Sequence, residues 1–300
     1  MKPVKSAFIL ILVFVLFVSI TGCIEQPKTG KINVVTTFYP LYEFSQRIGN
    51  EKAAVSILVP VGVEPHDWEP RPQDIIKIQS ADIFVYNGAG LELYVDKILK
   101  NTGSGKLITV DSSEGIELIN EGGATDPHIW LDPVMAKQQA GAIEKAFIKA
   151  DPKNSDYYRA NARALMQDLD NLDAYISNEL APARKKVFIS SHSAFGYFAR
   201  RYGLKQIAIA GLSPDIEPSP AKIAEIIRIA RENKVKYIFF ETLASPKLSD
   251  VISKEAGAQT LVLNPIEGLS EDQIKRGENY FTLMRENVKN LKLALEVENG

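Results

Sequence analysis

Short runs of β-branched and other apolar residues alternate along the chain with longer stretches in which apolar residues recur every three or four positions. The first four runs predict strands at Ile32–Thr36, Ala54–Val59, Asp82–Tyr86 and Leu107–Val110, and the second four at Lys186–Ser190, Gln206–Ile209, Val235–Phe240 and Thr260–Leu263. Helical patterns separate them, as at Pro72–Gln79, Pro220–Glu232 and Pro246–Ala256, which indicates parallel strands joined by helical crossovers. The pattern predicts an α/β protein of two lobes, each with a four-stranded, mostly parallel sheet flanked by helices.

A long helical region, Pro133 to Leu180, separates the two groups of strands. Pro152 should interrupt it, because proline cannot continue a helix but suits a helix start. The remaining segment, Lys153 to Leu180, predicts one helix roughly 40 Å long at about 1.5 Å per residue. Its apolar positions are spaced by three and four residues: Tyr158, Ala162, Leu165, Leu169, Leu172 and Ile176.

We interpret this helix as a rigid link, 153–181, between an N-terminal lobe, 32–152, and a C-terminal lobe, 182–300. A bridge explains why four strands precede it and four follow it. The alternative is an ordinary packing helix within one large domain.

The start of the chain has the pattern of an export signal. Lys2 and Lys5 precede an uncharged apolar stretch, 7–20, which is shorter than the about 20 residues that a membrane-spanning helix needs. We therefore predict that residues 1–22 are a signal peptide.

The next residues resemble a lipobox: Ile20-Thr21-Gly22-Cys23. In such a sequence the cysteine receives a lipid and becomes the mature N-terminus. We predict lipidation of Cys23, a polar tether over 23–31, and an extracytoplasmic protein anchored by its lipid to the cell membrane. The alternative is a retained N-terminal anchor helix with an incidental cysteine.

Composition limits the class of protein. The 300 residues are 45% apolar and 24% charged, with a formal net charge of −2, which is ordinary for a globular protein. No basic stripe stands out, so no nucleic-acid partner is expected. Removing the signal peptide takes away two lysines and no acids, which leaves 33 basic and 37 acidic residues. The single cysteine excludes an intrachain disulfide, and with it the small disulfide scaffolds.

The three histidines of the chain, His66, His128 and His192, all lie in turn-like sequences between predicted strands and helices. Ligands of open α/β sheets bind at the carboxyl ends of the strands, where such connections lie. Imidazole is a common ligand of Zn²⁺ and Cu²⁺. Each histidine alone is more simply a structural or surface residue, and the long gaps between them do not prove that they meet.

Longer motifs surround these histidines. They are Val-Val-Thr-Thr-Phe-Tyr-Pro-Leu at 34–41, Glu-Pro-His-Asp-Trp-Glu-Pro at 64–70 with Pro-Gln-Asp at 72–74, Asp-Pro-His-Ile-Trp-Leu-Asp-Pro at 126–133, Ser-His-Ser-Ala-Phe-Gly-Tyr-Phe at 191–198 with Tyr-Gly-Leu at 202–204, Leu-Ser-Pro at 212–214 with Glu-Pro-Ser-Pro at 217–220, and Phe-Phe-Glu at 239–241. In these motifs the chain resembles the zinc/manganese solute-binding lipoproteins of ABC transporters. The resemblance covers about residues 32 to 295.

The resemblance implies a fold, a site and a partner. It implies two α/β lobes joined by one long helix, with the metal ion between them. His66 and His128 match ligands of the first lobe, and His192 matches the ligand of the second. A histidine at this third position favours Zn²⁺, with Mn²⁺ possible, since carboxylates suit Mn²⁺ better. The implied protein is a monomer without catalytic activity that delivers the ion to an ABC-transporter permease, held at the membrane by its N-terminal lipid.

The fourth ligand departs from the family pattern. Asn264 stands where the family often has an aspartate before a proline, and an amide oxygen is a weaker ligand. Asn264 could coordinate weakly, water could fill the position, or Glu64 or Glu241 could replace it. Asn264 could also simply cap the following turn.

Two further functions stay open at this point. A site of three histidines and water also suits a zinc-dependent hydrolase. A metal-containing surface adhesin is the other alternative, because some members of the resembling family are described as adhesins.

Overall fold

The first of two parallel sheets is formed by residues near the N-terminus of the described chain. The computed structural model describes residues 30–102, 105–121 and 123–298. Strands β1 (Ile32–Thr36), β2 (Ala53–Ile57), β3 (Ile83–Tyr86) and β4 (Ile108–Asp111) pair in the order β2-β1-β3-β4, all parallel. The central strands β1 and β3 are almost fully buried, which explains their nearly continuous apolar sequences.

The helices of this lobe cross from one strand to the next. They are α1 (Tyr39–Gly49), α2 (Pro72–Ser80) and α3 (Val95–Asn101). A small antiparallel hairpin, β5 (Asn120–Glu121) and β6 (Ala124–Thr125), follows the sheet. The sequence does not predict this hairpin, because two-residue strands carry no periodicity.

The second sheet repeats the arrangement. Strands β7 (Val187–Ser190), β8 (Lys205–Ala208), β9 (Tyr237–Phe240) and β10 (Gln259–Val262) pair in the order β10-β9-β7-β8, again all parallel. The predicted fold of two four-stranded sheets is confirmed, with each strand within two residues of its predicted ends.

Two long helices lie between the sheets in sequence. Helix α4 (Pro133–Ala150) ends at Asp151, and a 3₁₀ turn, Pro152–Asn154, leads into α5 (Ser155–Leu180). The Asp151 carboxylate holds this turn by accepting hydrogen bonds from Asn154 Nδ2 and the Tyr158 hydroxyl. Pro152 therefore separates the two helices as predicted, and α5 begins two residues later than Lys153.

Helix α5 links the lobes by packing on both. Its apolar stripe is wholly buried. It contacts α1 and α4 of the first lobe and α10 (Tyr280–Ala294) of the second. The remaining helices of the second lobe are α6 (Gly196–Arg201), α7 (Pro220–Glu232), α8 (Lys247–Ala256) and α9 (Glu271–Lys275). The linking helix is confirmed, and the residue boundaries of the two lobes stay a prediction.

Hydrogen bonds fasten the lobes directly to each other, and three of them are donated by buried aromatic side chains. The Trp130 indole donates from Nε1 to the Pro265 carbonyl at 2.7 Å, and the Tyr280 hydroxyl donates to the Trp130 carbonyl at 2.5 Å. The Tyr197 hydroxyl donates to the Asp126 carbonyl at 2.7 Å. The described residues from Lys31 onward accordingly form one compact unit.

The predicted signal peptide, the lipidation site Cys23 and the tether as far as residue 29 lie outside the described residues. Within the part that is described, no helix has the length and apolar character needed to cross a membrane.

Leu169→Ala should destabilise the protein by about 2–5 kcal/mol, because Leu169 is fully buried in the linking helix and its loss leaves a cavity. Denaturant unfolding followed by circular dichroism measures this change. Arg163→Ala, at an exposed position of the same helix, is the control and should change stability by less than about 0.5 kcal/mol. Equal effects of the two substitutions would contradict the role of the buried stripe.

Candidate metal centre

The three histidines meet at one point between the lobes. His66 follows β2, His128 follows the β5–β6 hairpin, and His192 follows β7. The Nε2 atom of His128 lies 3.2 Å from Nε2 of His66 and 3.2 Å from Nε2 of His192. The sequence-predicted histidines are thus brought together from three separate loops.

A fourth group, Glu267, completes the cluster. It lies in the loop after β10, and its Oε1 atom is 3.4 Å from Nε2 of His66, 3.3 Å from that of His128 and 3.5 Å from that of His192. The ligand atoms of the four residues all lie within 4.8 Å of one another. This spacing is what one ion surrounded by three nitrogens and one oxygen requires.

Carboxylates behind two of the imidazoles fix their orientation. Asp126 Oδ1 lies 2.8 Å from Nδ1 of His128 and also accepts the His128 backbone N–H. Glu241 Oε1, at the end of β9, lies 2.5 Å from Nδ1 of His192. A carboxylate only accepts hydrogen bonds, so each Nδ1 carries the proton and each Nε2 lone pair points into the cluster.

The first-lobe ligands are also held by their own loops. The backbone N–H of His66 donates to Glu64 Oε1 at 3.2 Å. Gly196 lies against Asp126, and a Cβ atom at this position would be 2.7 Å from Asp126 Oδ2. The close approach of the second lobe to the aspartate behind His128 therefore requires glycine at 196.

The cluster fits a cation. Two Nε2 lone pairs face each other 3.2 Å apart, and both oxygens of the buried Glu267 carboxylate lack a hydrogen-bond donor among the described residues. Buried charge without a partner is costly. A metal ion bound by these atoms relieves the repulsion between the lone pairs and pairs the carboxylate at once.

The electrostatics of the cluster reflect this crowding. Burial alone would lower the pKa of His192, but the charge and hydrogen bond of Glu241, with the nearby Glu267 carboxylate, raise it well above its ordinary value. Burial acts the same way on His128, but the hydrogen bond to Asp126 and the nearby Glu267 carboxylate outweigh it, so the pKa of His128 is raised too. Burial would raise the pKa of Glu267, but the three facing imidazoles hold it well below its usual range.

Glu64 behaves differently from Glu267. Burial, together with the negative charge of Glu267, raises the pKa of Glu64 to about 9. Glu64 is therefore protonated at neutral pH, while Glu267 carries the negative charge of the cluster.

The Asn264 side chain makes two hydrogen bonds to neighbouring residues. Its Oδ1 accepts the Ile266 backbone N–H at 2.7 Å, and its Nδ2 donates to the Thr242 hydroxyl at 3.3 Å. The side chain thus closes the turn that precedes Glu267, which is the capping role considered from the sequence. The carboxylate at the cluster comes from three residues further along the chain.

Sequence reasoning missed Glu267, and it did not identify Asp126 and Glu241 as the carboxylates that hold the imidazoles of His128 and His192. Other acids near the histidines in sequence lie elsewhere: Asp67 and Glu69 are exposed, and Asp132 caps α4 by accepting the Val134 N–H. The available signal for Glu267 was that it is the one acid in the short loop after the last strand, Asn264–Leu269.

A family model described as the periplasmic component A of the zinc-uptake complex, ZnuA, matches residues 34–294. The chain belongs to this family.

Curated relatives of the ZnuA family match over most of the chain. The high-affinity zinc uptake system protein ZnuA of Bacillus subtilis (strain 168) is 44% identical over 288 residues, which are 91% of this chain and 90% of that protein. The zinc-binding lipoprotein AdcA of Streptococcus pneumoniae (strain R6) is 40% identical over 93% of this chain. The match spans only 59% of AdcA.

Solved structures agree with this assignment. The Zn(II)-bound ZnuA-like domain of Streptococcus pneumoniae AdcA superposes with a TM-score of 0.80 at 42% identity, covering 89% of this chain and 100% of that domain. The laminin-binding protein of Streptococcus agalactiae superposes with a TM-score of 0.81 at 32% identity, covering 88% of this chain and 99% of that one. That protein is described as bifunctional, with adhesin and metal transporting activity.

Glu241→Gln should lower the pKa of His192 in the metal-free protein, because it removes the negative charge that favours the imidazolium. The change is measured by ¹⁵N NMR titration of the imidazole nitrogens. His128 provides an internal control, since its own partner Asp126 is unchanged and its pKa should move less. A His192 pKa that is the same in both proteins would contradict the role given to Glu241.

Proposed function

We propose that the chain is an extracytoplasmic receptor that binds one Zn²⁺ ion between its lobes and delivers it to an ABC importer. The observation that carries the proposal is the convergence of His66, His128, His192 and Glu267 on one point. A tetrahedral Zn²⁺ site with Zn–N bonds of about 2.0–2.1 Å has ligand atoms roughly 3.3 Å apart. The measured separations of 3.2–3.5 Å match this geometry.

The donor set favours Zn²⁺ over Mn²⁺. Three imidazoles and one carboxylate suit the borderline-soft Zn²⁺ ion, whereas Mn²⁺ suits oxygen ligands in six-coordinate sites. Four protein ligands fill a tetrahedron. We therefore keep Mn²⁺ as the weaker alternative ligand.

A receptor explains the site better than a hydrolase does. Catalytic zinc sites keep one coordination position open for water. Here a carboxylate lies at the fourth position, with Glu267 only 1% exposed. The ligand arrangement is therefore that of a closed binding site, which suits an ion that is carried and not used as a catalyst.

A path to the site passes His66. This side chain is 10% exposed, whereas those of His128 and His192 are fully buried. A cleft of about 1050 Å³ opens beside His66 and runs along β8 of the second lobe. Ions can thus approach from one side, between the lobes.

Delivery at the membrane rests on the N-terminal prediction. Lipid on Cys23 would hold the receptor close to a permease, and AdcA, one of the relatives, is named a lipoprotein. The hydrogen bonds between the lobes support release by small movements of ligand loops, because a wide hinge opening would break them.

Competitive titration of the metal-free protein with Zn²⁺ and Mn²⁺ tests the proposal. We expect one Zn²⁺ per chain and a clear preference for Zn²⁺.

Removing a ligand should weaken Zn²⁺ binding by more than the about 10–100-fold loss that follows mutation of a residue hydrogen-bonded to a ligand. We therefore expect a larger loss in His192→Ala and in Glu267→Gln. Glu217→Gln, at an exposed position, is the matched control for the carboxylate. Unchanged stoichiometry and affinity in both ligand variants would refute the site.

Zinc affinity should fall as the pH drops from 7.5 to 5.5. Because the pKa values of His128 and His192 are raised, protons occupy the metal-free site more readily than they occupy free imidazole, and Zn²⁺ must displace them. The loss should be about tenfold per pH unit for each displaced proton. Isothermal titration in two buffers with different ionisation enthalpies counts the protons released. Equal affinity at pH 5.5 and 7.5 would exclude imidazole ligands.

A further inference from the structure

The loop that carries Glu267 has an unusual backbone. Ile266 has φ of +60°, in the left-handed region that β-branched residues rarely adopt. Its side chain is fully buried, and its N–H donates to the Asn264 side chain. A strained residue of this kind persists only where the surrounding structure holds it. The residue that follows it is the carboxylate of the metal centre.

Hydrogen bonds from both lobes hold this loop. From the second lobe, Asn287 of α10 bonds both sides of Asn264: it accepts the Asn264 N–H at 2.7 Å and donates to the Asn264 carbonyl at 2.6 Å. From the first lobe, Trp130 Nε1 donates to the Pro265 carbonyl at 2.7 Å. The strained turn is thus fixed from opposite sides of the cleft.

Trp130 is itself firmly placed. It is fully buried, and its ring centroid lies 4.6 Å from that of Phe38 and 5.2 Å from that of His128. It lies in the 3₁₀ turn Ile129–Leu131, directly after His128, and its carbonyl accepts the Tyr280 hydroxyl. One short segment therefore carries both a first-lobe ligand and the donor that holds the loop of the second-lobe carboxylate.

We infer that Trp130 is a positioning residue for Glu267: its indole N–H sets the distance between the carboxylate and His128. This inference rests on the proposed metal-binding function. Without the N–H donor, the Pro265 carbonyl loses its partner, and the turn at Asn264 keeps only its bonds to Asn287 and Thr242 of the second lobe. Ile266 can then relax toward an ordinary backbone conformation, which turns Glu267 away from the three imidazoles.

A double-mutant cycle tests this inference. The variants are Trp130→Phe, Glu267→Gln and the double variant, and the measured quantity is Zn²⁺ affinity at fixed pH. Loss of one hydrogen bond predicts about tenfold weaker binding in Trp130→Phe. If Trp130 acts through Glu267, the double variant should bind no more weakly than Glu267→Gln. Multiplied losses in the double variant, or unchanged affinity in Trp130→Phe, would overturn the inference.

A spectroscopic readout separates positioning from general packing. The visible absorption bands of bound Co²⁺ report the ligand set, so Trp130→Phe should shift them in the same direction as Glu267→Gln does. Tyr158→Phe is the control, since it also removes one hydrogen-bond donor from a fully buried aromatic side chain, but at the turn between α4 and α5, where the hydroxyl donates to Asp151. This variant should leave both bands and affinity unchanged. Wild-type bands in Trp130→Phe would contradict positioning.

If Trp130→Phe lowers the unfolding temperature too far for titration, 3-benzothienylalanine at position 130 replaces it. This residue keeps the two-ring shape and exchanges the N–H for sulfur, so the same tenfold loss is expected. Two outcomes separate the inference from the proposed function. Wild-type protein that binds no Zn²⁺ would refute the function. Normal binding by both the wild-type protein and the position-130 variant would refute only the role of Trp130.

Discussion

The negative charge of Glu267 is the constraint around which the structure is organised. Both of its carboxylate oxygens are buried and accept no hydrogen bond from the residues that the structure describes, which is unfavourable unless a positive charge lies beside them. Metal binding supplies that charge, and in the metal-free state protonated imidazoles supply part of it. The raised pKa values of His128 and His192 and the lowered pKa of Glu267 are two expressions of this single requirement.

The fold delivers these groups because both sheets are parallel. The strands of each sheet end on the same edge, so loops that are far apart in sequence meet there. The helix α5 and the hydrogen bonds that join Trp130 to Pro265 and Tyr280 keep the two edges opposed. Two of the four ligands come from each lobe, so the metal centre would lose its geometry if these contacts were lost.

The sequence could predict what depends on periodicity and on residue type. Strand positions and the linking helix followed from apolar spacing, and the three histidines were the natural ligands for a transition metal. Only the resemblance to a known family predicted that the three histidines converge, because the number of residues between two loops does not give their distance in the fold.

The fourth ligand shows where such reasoning ends. Asn264 occupies the expected position, yet its amide closes a turn, and a left-handed residue at 266 presents the next side chain to the site. Isoleucine gives no sequence signal for that conformation, since glycine or asparagine is the usual occupant. The partners Asp126 and Glu241 were hidden for a related reason, because a loop's path decides which nearby acid reaches an imidazole.

The uneven burial of the four ligands has a kinetic consequence. Among the four ligands, His66 alone borders solvent, and it lies outside the two segments that the bond from Trp130 to Pro265 joins. An ion leaving the site therefore breaks its bond to His66 first, while the other three groups still hold it. The order of ligand exchange is thus set by the architecture, with the most exposed imidazole as the point of exit.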